Sequence, residues 1–401
     1  MVDSRLLRLA PQLLRVMRSS VRSGRWPEFR EVLLKGLSLS RGGGGQAGRA
    51  PPLFQIATGY WISQAVYVAA ALGVADVLKQ GPKSCREIAT ETGADEESLY
   101  RLLRALCTIG LIRTAGTDRF TLAARGRPLV SGVPGSLRAM VLTLGDMHYA
   151  AWGHLLESVR TGASAFQTAF GAPLFDYLGR DLEAGNTFNA AMTDFSTLVA
   201  HAVLLAYDFS DTGWLVDLGG GCGGFLTSIM RMYPAMHGSL FDTPAVITAA
   251  ERHLEATPGA DRRSLVPGNF LEWVPRGADA YLMSGVVHDW DDERAVRILA
   301  NCRASMARTG RVLVVECVVS DGDESSFSKL LDLNMLVMNG GRERTRAEFQ
   351  ALFDTAGLRM TRVIPTLSPL SIIEGALPTR AGPPSARCTR QGAIVGPRAR
   401  T

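Results

Sequence analysis

Leu215-Val216-Asp217-Leu218-Gly219-Gly220-Gly221-Cys222-Gly223-Gly224 is the stretch that decides the fold. It reads as a buried strand ending in an acid, then a glycine loop, then a helix from Phe225 to Tyr233. Only glycine lets a backbone turn this sharply and come this close to a ligand. The helix N-terminus beyond the loop favours an anionic group. Outward from this point the rhythm stays strand, helix, strand. Gly238 to Phe241, Ala280 to Ser284 and Val312 to Glu316 read as strands, with helices over Ala245 to Leu254 and Glu293 to Met306. That alternation predicts an α/β fold, a doubly wound, Rossmann-like sheet with helices on both faces. Ligands of such sheets bind at the carboxyl ends of the strands.

The acids at those ends suggest which ligand. Nicotinamide enzymes use the same loop and also carry an acid about 20 residues on, so the glycines alone do not decide. Asp217 lies inside the strand end, where it would repel a pyrophosphate and attract a sulfonium. The expected cofactor is therefore S-adenosyl-L-methionine, its carboxylate at the helix N-terminus and its cationic end towards Asp217. Asp242, 25 residues further on, is placed to accept from both ribose hydroxyls.

After the strand at Ala280 to Ser284 comes Val286-Val287-His288-Asp289-Trp290-Asp291-Asp292-Glu293. A phenol, with a pKa near ~10, is mostly protonated at neutral pH, and a histidine here can take its proton as a methyl group arrives. The imidazole then needs its other nitrogen anchored by an acceptor. Glu316, ending the next strand, and Glu343, in Gly340-Gly341-Arg342-Glu343-Arg344-Thr345, are both candidates. The bland alternative is a surface histidine in the acid-rich cap of the following helix. His148, His154, His201, His237 and His253 lack a strand-end position and read as incidental.

Residues 51–135 read as a mainly helical unit with a winged-helix pattern. Ser84 can cap a helix through Thr92, and a second helix places Leu99, Leu102, Leu103 and Leu106 on one face. Leu111 to Thr114 and Arg119 to Leu122 form a hairpin wing. A winged helix invites a DNA-binding, transcription-regulator reading. The would-be recognition helix, however, opens with Asp95, Glu96 and Glu97, which repel phosphate. Dimerisation is the plainer reading. Residues 136–210 are helical and aromatic-bearing, including Trp152, Phe166 and Phe175; they either roof a pocket or pack as ordinary core.

The formal charge of +5 comes from the ends. Residues 1–50 hold 10 basic and 3 acidic residues and residues 377–401 hold 5 and none, leaving residues 51–376 at a net −7. An acidic body argues against a nucleic-acid partner. Six cysteines without a C-x-x-C pair suggest reduced, cytoplasmic thiols and no metal site. No apolar run approaches the ~20 residues of a membrane span. Residues 1–50, with Gly42 to Gly45 as a linker, are expected to be a basic, flexible extension; a transit peptide or membrane-surface helix would look similar. The tail 377–401 is expected to be disordered, and 211–376 to be the catalytic domain.

In combination, Asp217-Leu218-Gly219-Gly220-Gly221, Phe241-Asp242-Thr243-Pro244, His288-Asp289-Trp290 and Gly341-Arg342-Glu343-Arg344-Thr345 resemble one family. It is that of the small-molecule O-methyltransferases of plants and actinomycetes, with the animal enzyme acting on N-acetylserotonin. The resemblance covers roughly Leu53 to Ala376. It implies a homodimer whose winged-helix-like domain lends residues to the partner's pocket. It also implies a general base at His288 supported by Glu316 and Glu343. The expected acceptor is a small, largely apolar molecule of aromatic, polyketide-like or isoprenoid type. Asn334, Met335 and Met338, from a helix over Asp332 to Met338, together with Trp152 and Met192, are the implied substrate contacts. Cofactor contacts are expected from Asp217, Gly219, Gly221, Asp242, Asn269, Phe270 and Ser284. Two positions depart from the family. Gly268-Asn269-Phe270 replaces Gly-Asp-Phe, which predicts weaker cofactor binding, and Ser284 stands where plant relatives carry a lysine. The rival chemistry is a cofactor-binding relative that hydroxylates or decarboxylates.

Overall fold

The computed structural model describes residues 53–378 other than 256, 258, 324 and 325. The expectations for the basic N-terminal extension, the Gly42 to Gly45 linker and the C-terminal tail beyond 378 lie outside the described residues.

Three helices open the chain, α1 (Leu53–Ala57), α2 (Gly59–Ala71) and α3 (Val74–Leu78). The winged helix comes next: β1 (Lys83–Ser84), α4 (Cys85–Thr92), α5 (Glu96–Thr108), β2 (Ile112–Thr114) and β3 (Arg119–Leu122). Ser84 caps α4 through a full capping box with Glu87, and Asp95 accepts from Ser98 N–H at the start of α5. Leu99, Leu103 and Leu106 are buried on one face of α5, with Leu102 half-buried at its edge. The strands pair antiparallel in the order β1-β3-β2, so the expected hairpin gains a third strand, too short at two residues to leave a pattern in the sequence. One apolar face of this unit stays uncovered. Leu53, Phe54, Ile56, Tyr60, Trp61 and Ile62 on α1 and α2 are all exposed.

A helical segment leads onward through α6 (Arg138–Thr143), a π-turn over Leu144–His148, α7 (Tyr149–Trp152), α8 (Leu155–Thr161), α9 (Ala165–Phe170), α10 (Leu174–Arg180) and α11 (Leu182–Ala206). By length and composition α11 is apolar enough to cross a membrane. It carries Asp194 and buries Val199, Ala200 and Val203 in the core of the following domain, as a packed core helix does.

The α/β unit runs β4 (Trp214–Leu218), α12 (Gly224–Met232), β5 (His237–Asp242), α13 (Pro244–Leu254), β6 (Arg263–Pro267), β7 (Ala280–Ser284), α14 (Asp292–Ser305) and β8 (Arg311–Glu316). After it come β9 (Val318–Val319), α15 (Phe327–Met338), β10 (Arg344–Thr345), α16 (Arg346–Thr355), β11 (Arg359–Pro365) and β12 (Ser371–Ala376). The seven-stranded sheet has the order β11-β12-β8-β7-β4-β5-β6. Strands β4 to β8 are parallel, while β12 pairs antiparallel with both β8 and β11, so the sheet is mixed. The chain leaves β4 towards β5 and β6, then returns to place β7 on the other side. That reversal is the topological switch point, where such sheets hold ligands. The carboxyl ends of β4 and β7 flank it, and these ends lead into the glycine loop and into His288. Buried side chains on both sheet faces form the two largest clusters of the core.

Candidate active site

The glycine loop is built as its composition requires. Gly219, Gly221 and Gly223 have φ of 68°, 57° and 74°, in the left-handed region that side chains avoid. No side chain of the N-cap residue caps α12, and within its first turn the Leu226 N–H goes to the Asp217 carboxylate, so the N–H groups before it are the ones left for a ligand. A Cβ on Gly221 would meet nothing within 4 Å, which marks open space above the loop. Below it lies Asp217, only 1% exposed. The carboxylate expected to face the cofactor's cationic end is sealed beneath Gly220 rather than presented above it. Its Oδ2 has no partner among the described residues. Burial, aided by the charge of Asp242, pushes its pKa up to about 7. A cation above the loop would supply the missing compensation, so the loop fits a sulfonium-bearing cofactor.

Asp242 ends β5 and ties the loop down. Its Oδ2 accepts from Gly221 N–H at 3.0 Å and its Oδ1 from Thr243 N–H at 2.7 Å. Each oxygen keeps a further lone pair for a hydroxyl. Phe270 stands beside Gly219, its ring edge-on to Trp290 at 5.9 Å. Asn269 is exposed and largely engaged in its own turn: Oδ1 accepts from Leu271 N–H at 3.0 Å and Nδ2 donates to Glu272. Ser284 is half-buried at the end of β7. Met192 is half-buried on α11, next to Thr193, which would touch a Cβ on Gly224 at 3.7 Å.

His288 follows β7 in a tight turn, its side chain 16% exposed. Nδ1 lies 2.7 Å from Oε1 of Glu343, whose side chain is fully buried. Nε2 lies 3.6 Å from Oδ1 of Asp289. Of the two candidate anchors, Glu343 meets the imidazole. Glu316 instead accepts from the backbone N–H groups of Val286 and His288, at 3.2 and 3.1 Å. Burial pulls the His288 pKa down, but the charge of Asp289, the hydrogen bond to Glu343 and the further charges of Glu316 and Glu343 push harder. The net effect raises it well above its ordinary value. Burial also raises the carboxyls of Glu316 and Asp289.

Several residues to which sequence alone gives no role hold this turn. Arg344 is fully buried and donates to the carbonyls of Val287, at 3.1 Å, and Trp290, at 2.8 Å, and to Asp292. Arg342 N–H donates to the His288 carbonyl at 2.8 Å. A Cβ on Gly341 would fall 2.1 Å from that carbonyl, so only glycine closes the loop here. Asn339 donates to Asp289. The repeated glycine and arginine of 340–344 were the available signal.

On the other side, Asn334 Oδ1 accepts from Trp152 Nε1 at 2.9 Å and lies 3.2 Å from Nδ1 of His148. His148, which has no strand-end position, is thus joined to a helix read as part of the pocket wall. Met335 is 9% exposed, while Met338, at 1%, is sealed among Met147, Phe166 and Leu174 and presents no surface to a ligand in this conformation.

Comparison with known proteins agrees with this architecture. The model of the O-methyltransferase domain matches residues 152–359, and that of the O-methyltransferase dimerisation domain matches 54–132. The phenazine O-methyltransferase of Lysobacter antibioticus is 42% identical over 322 residues, 80% of this chain and 94% of the relative. The 8-amino-8-demethylriboflavin N,N-dimethyltransferase of Streptomyces davaonensis is 36% identical over 330 residues, 81% of this chain and 94% of the relative. The crystal structure of human N-acetylserotonin methyltransferase with its S-adenosylmethionine superposes with a TM-score of 0.77 at 27% identity, covering 83% of this chain and all of that one. The chain belongs to the O-methyltransferase family and is an S-adenosylmethionine-dependent methyltransferase.

The tightness of the loop yields a direct test. A Cβ on Gly220 would come within 2.5 Å of both Asp217 Oδ2 and Leu240 Cδ1. Gly220→Ala should weaken S-adenosylmethionine binding at least about tenfold by calorimetry, with the circular-dichroism spectrum retained. Unchanged affinity would show that the loop does not form the cofactor cradle.

Proposed function

We propose that the protein methylates a hydroxyl of a small, flat aromatic molecule, with His288 taking the hydroxyl proton. The observation that carries this reading is the 2.7 Å contact between His288 Nδ1 and a fully buried Glu343 carboxylate, which aims Nε2 at the end of β7 beside the cofactor loop. The acceptor class follows from the relatives, which are named for phenazine, aminohydroxybenzoate, aminoriboflavin and N-acetylserotonin substrates, all aromatic.

When bound, the cofactor supplies an electrophilic methyl group on a sulfonium. Asp242 would hold its ribose, the first turn of α12 its carboxylate, and Asp217 would balance its charge from below the loop. Gly219, Gly221, Phe270 and Ser284 shape the same cleft, with Asn269 at its rim. The acceptor oxygen takes the place near Nε2 that Asp289 occupies in the free enzyme. Once Nε2 has given up its own proton to solvent, Glu343 would keep Nδ1–H directed, so Nε2 would receive the hydroxyl proton as the acceptor oxygen takes the methyl group from the sulfonium, leaving a neutral thioether, and that proton would then leave to solvent. Trp152, Met192, Asn334 and Met335 stand around the acceptor.

A nitrogen acceptor is the second reading, favoured by the riboflavin relative. A neutral amine already has a free lone pair and needs no base before attack. A phenol does need one, and a carboxylate-anchored histidine suits it better.

The uncovered face of α1 and α2, within the segment matched by the dimerisation model, supports a homodimer. Sedimentation of the full chain at micromolar concentration should give a dimer, and the Phe54→Glu, Trp61→Glu double variant a monomer. A monomeric parent chain would contradict the assembly.

His288→Ala should lower turnover about 100-fold or more, with cofactor affinity unchanged. The readout is labelled methyl transfer to 1-hydroxyphenazine and other fused-ring phenols. Because the raised His288 pKa keeps the free imidazole protonated, kcat/KM should rise with pH through a midpoint above 6.5. Asp289→Asn removes a negative charge that favours the imidazolium, so that midpoint should move to lower pH. A midpoint that stays put or moves upward would remove the carboxylate-raised imidazole from the mechanism.

A further inference from the structure

His148 is a second histidine whose protonation is fixed by its surroundings. The indole nitrogen of Trp152 can only donate. It lies 2.9 Å from Oδ1 of Asn334, which settles that this atom of the amide is the oxygen. The same oxygen lies 3.2 Å from His148 Nδ1, and an oxygen already accepting can bond that nitrogen only if it carries hydrogen. The imidazole is therefore the Nδ1–H tautomer. Burial pulls its pKa down to about 4, so no second proton is held at neutral pH. The lone pair left on Nε2 has no protein partner among the described residues, yet Nε2 is not one of the sealed polar atoms. It opens on accessible space.

Its position is equally constrained. His148 ends the π-turn Leu144–His148, a geometry concentrated at functional sites because the extra residue re-aims the side chains beyond it. That turn is seated on α2: Gln64 Nε2 donates to the Gly145 carbonyl at 2.9 Å, and a Cβ on Gly145 would meet the Tyr67 side chain at 2.3 Å. Asn334 stands on α15, whose C-terminal continuation carries Asn339 to Asp289 and Glu343 to His288. Five residues of helix separate Asn334 from Asn339, about 7.5 Å along the axis. The locked tautomer is thus held by the same helix whose continuation braces the proposed base.

We propose that His148 Nε2 is a fixed, uncharged hydrogen-bond acceptor that recognises a second donor, a hydroxyl or N–H, carried by the aromatic substrate away from its reacting group. Asn334 and Trp152 act through it as positioning residues. The proposal rests on the reading that an aromatic acceptor lies against His288. It deepens that reading by naming a feature the substrate must have. A carboxylate at the same place would meet a lone pair and be rejected, and a substrate lacking the donor would leave Nε2 unpaired.

The test uses the full chain loaded with S-adenosylhomocysteine and two sets of probes, 1-naphthol and the isomeric dihydroxynaphthalenes. By calorimetry, at least one dihydroxy isomer should bind about tenfold more tightly than 1-naphthol. His148→Phe should abolish that advantage while leaving 1-naphthol affinity within about twofold, and Asn334→Leu should abolish the advantage as well. No advantage for any isomer, or an advantage that survives His148→Phe, would overturn the proposal. Nitrogen NMR of the parent chain labelled at histidine gives an answer that no variant's folding can obscure. His148 should show the Nδ1–H tautomer, and its Nε2 resonance should shift when the favoured isomer is added; an Nε2–H tautomer would overturn the proposal. Labelled methyl transfer to 1-naphthol is scored separately, so failure of the His288 reading is distinguishable from failure of this one.

Discussion

A single turn of backbone, residues 286–290, is held from both sides by buried charge, and the chemistry proposed for the protein depends on it. Glu316 accepts from two of its N–H groups, and Arg344 donates to two of its carbonyls. A backbone group buried without a partner costs free energy comparable to a lost hydrogen bond. A charged partner adds directional strength to each bond it makes. Neither Glu316 nor Arg344 is exposed to any useful extent, so neither can drift to solvent. The turn is consequently stiff, and His288 leaves it in one direction.

Stiffness alone would not make the imidazole useful. Glu343 fixes its Nδ1, and Asp289 Oδ1 lies 3.6 Å from Nε2, at the place proposed for the acceptor. Four carboxyl groups, those of Asp289, Asp292, Glu316 and Glu343, gather around one histidine and two arginines, Arg342 and Arg344. The surplus of negative charge favours an imidazolium, which is the state reached once the proton has been taken. Below the cofactor loop the same device recurs in simpler form, with the sealed Asp217 opposite the place where a cation would sit. Both halves of the site therefore favour the positive charge that methyl transfer brings in or generates.

The central sheet was legible because β4, β7 and β8 are apolar along nearly their whole length, as buried parallel strands are. Strands β6 and β11 at the edges carry arginine and proline, and β12 runs against the others, so neither their existence nor the mixed sheet could be read from apolar runs. Asp242 and His288 were visible because strand ends are where an α/β sheet places its chemistry. Arg344 was visible as a letter in a motif and not as a clamp, because its partners are backbone carbonyls 54 and 57 positions away. His148 and Asn334, 186 positions apart, could be joined only once the helices had packed. Glu316 and Glu343 looked equivalent as acids, and only the fold separates the one that grips the backbone from the one that grips the ring.

The most direct measurement of the account is the protonation state of His288 itself, read by nitrogen and proton NMR of the histidine-labelled enzyme without acceptor. At pH 7.5 the ring should be an imidazolium, with a strongly downfield Nδ1–H resonance that disappears in Glu343→Gln. A neutral ring titrating near 6.5, with no such resonance, would contradict it.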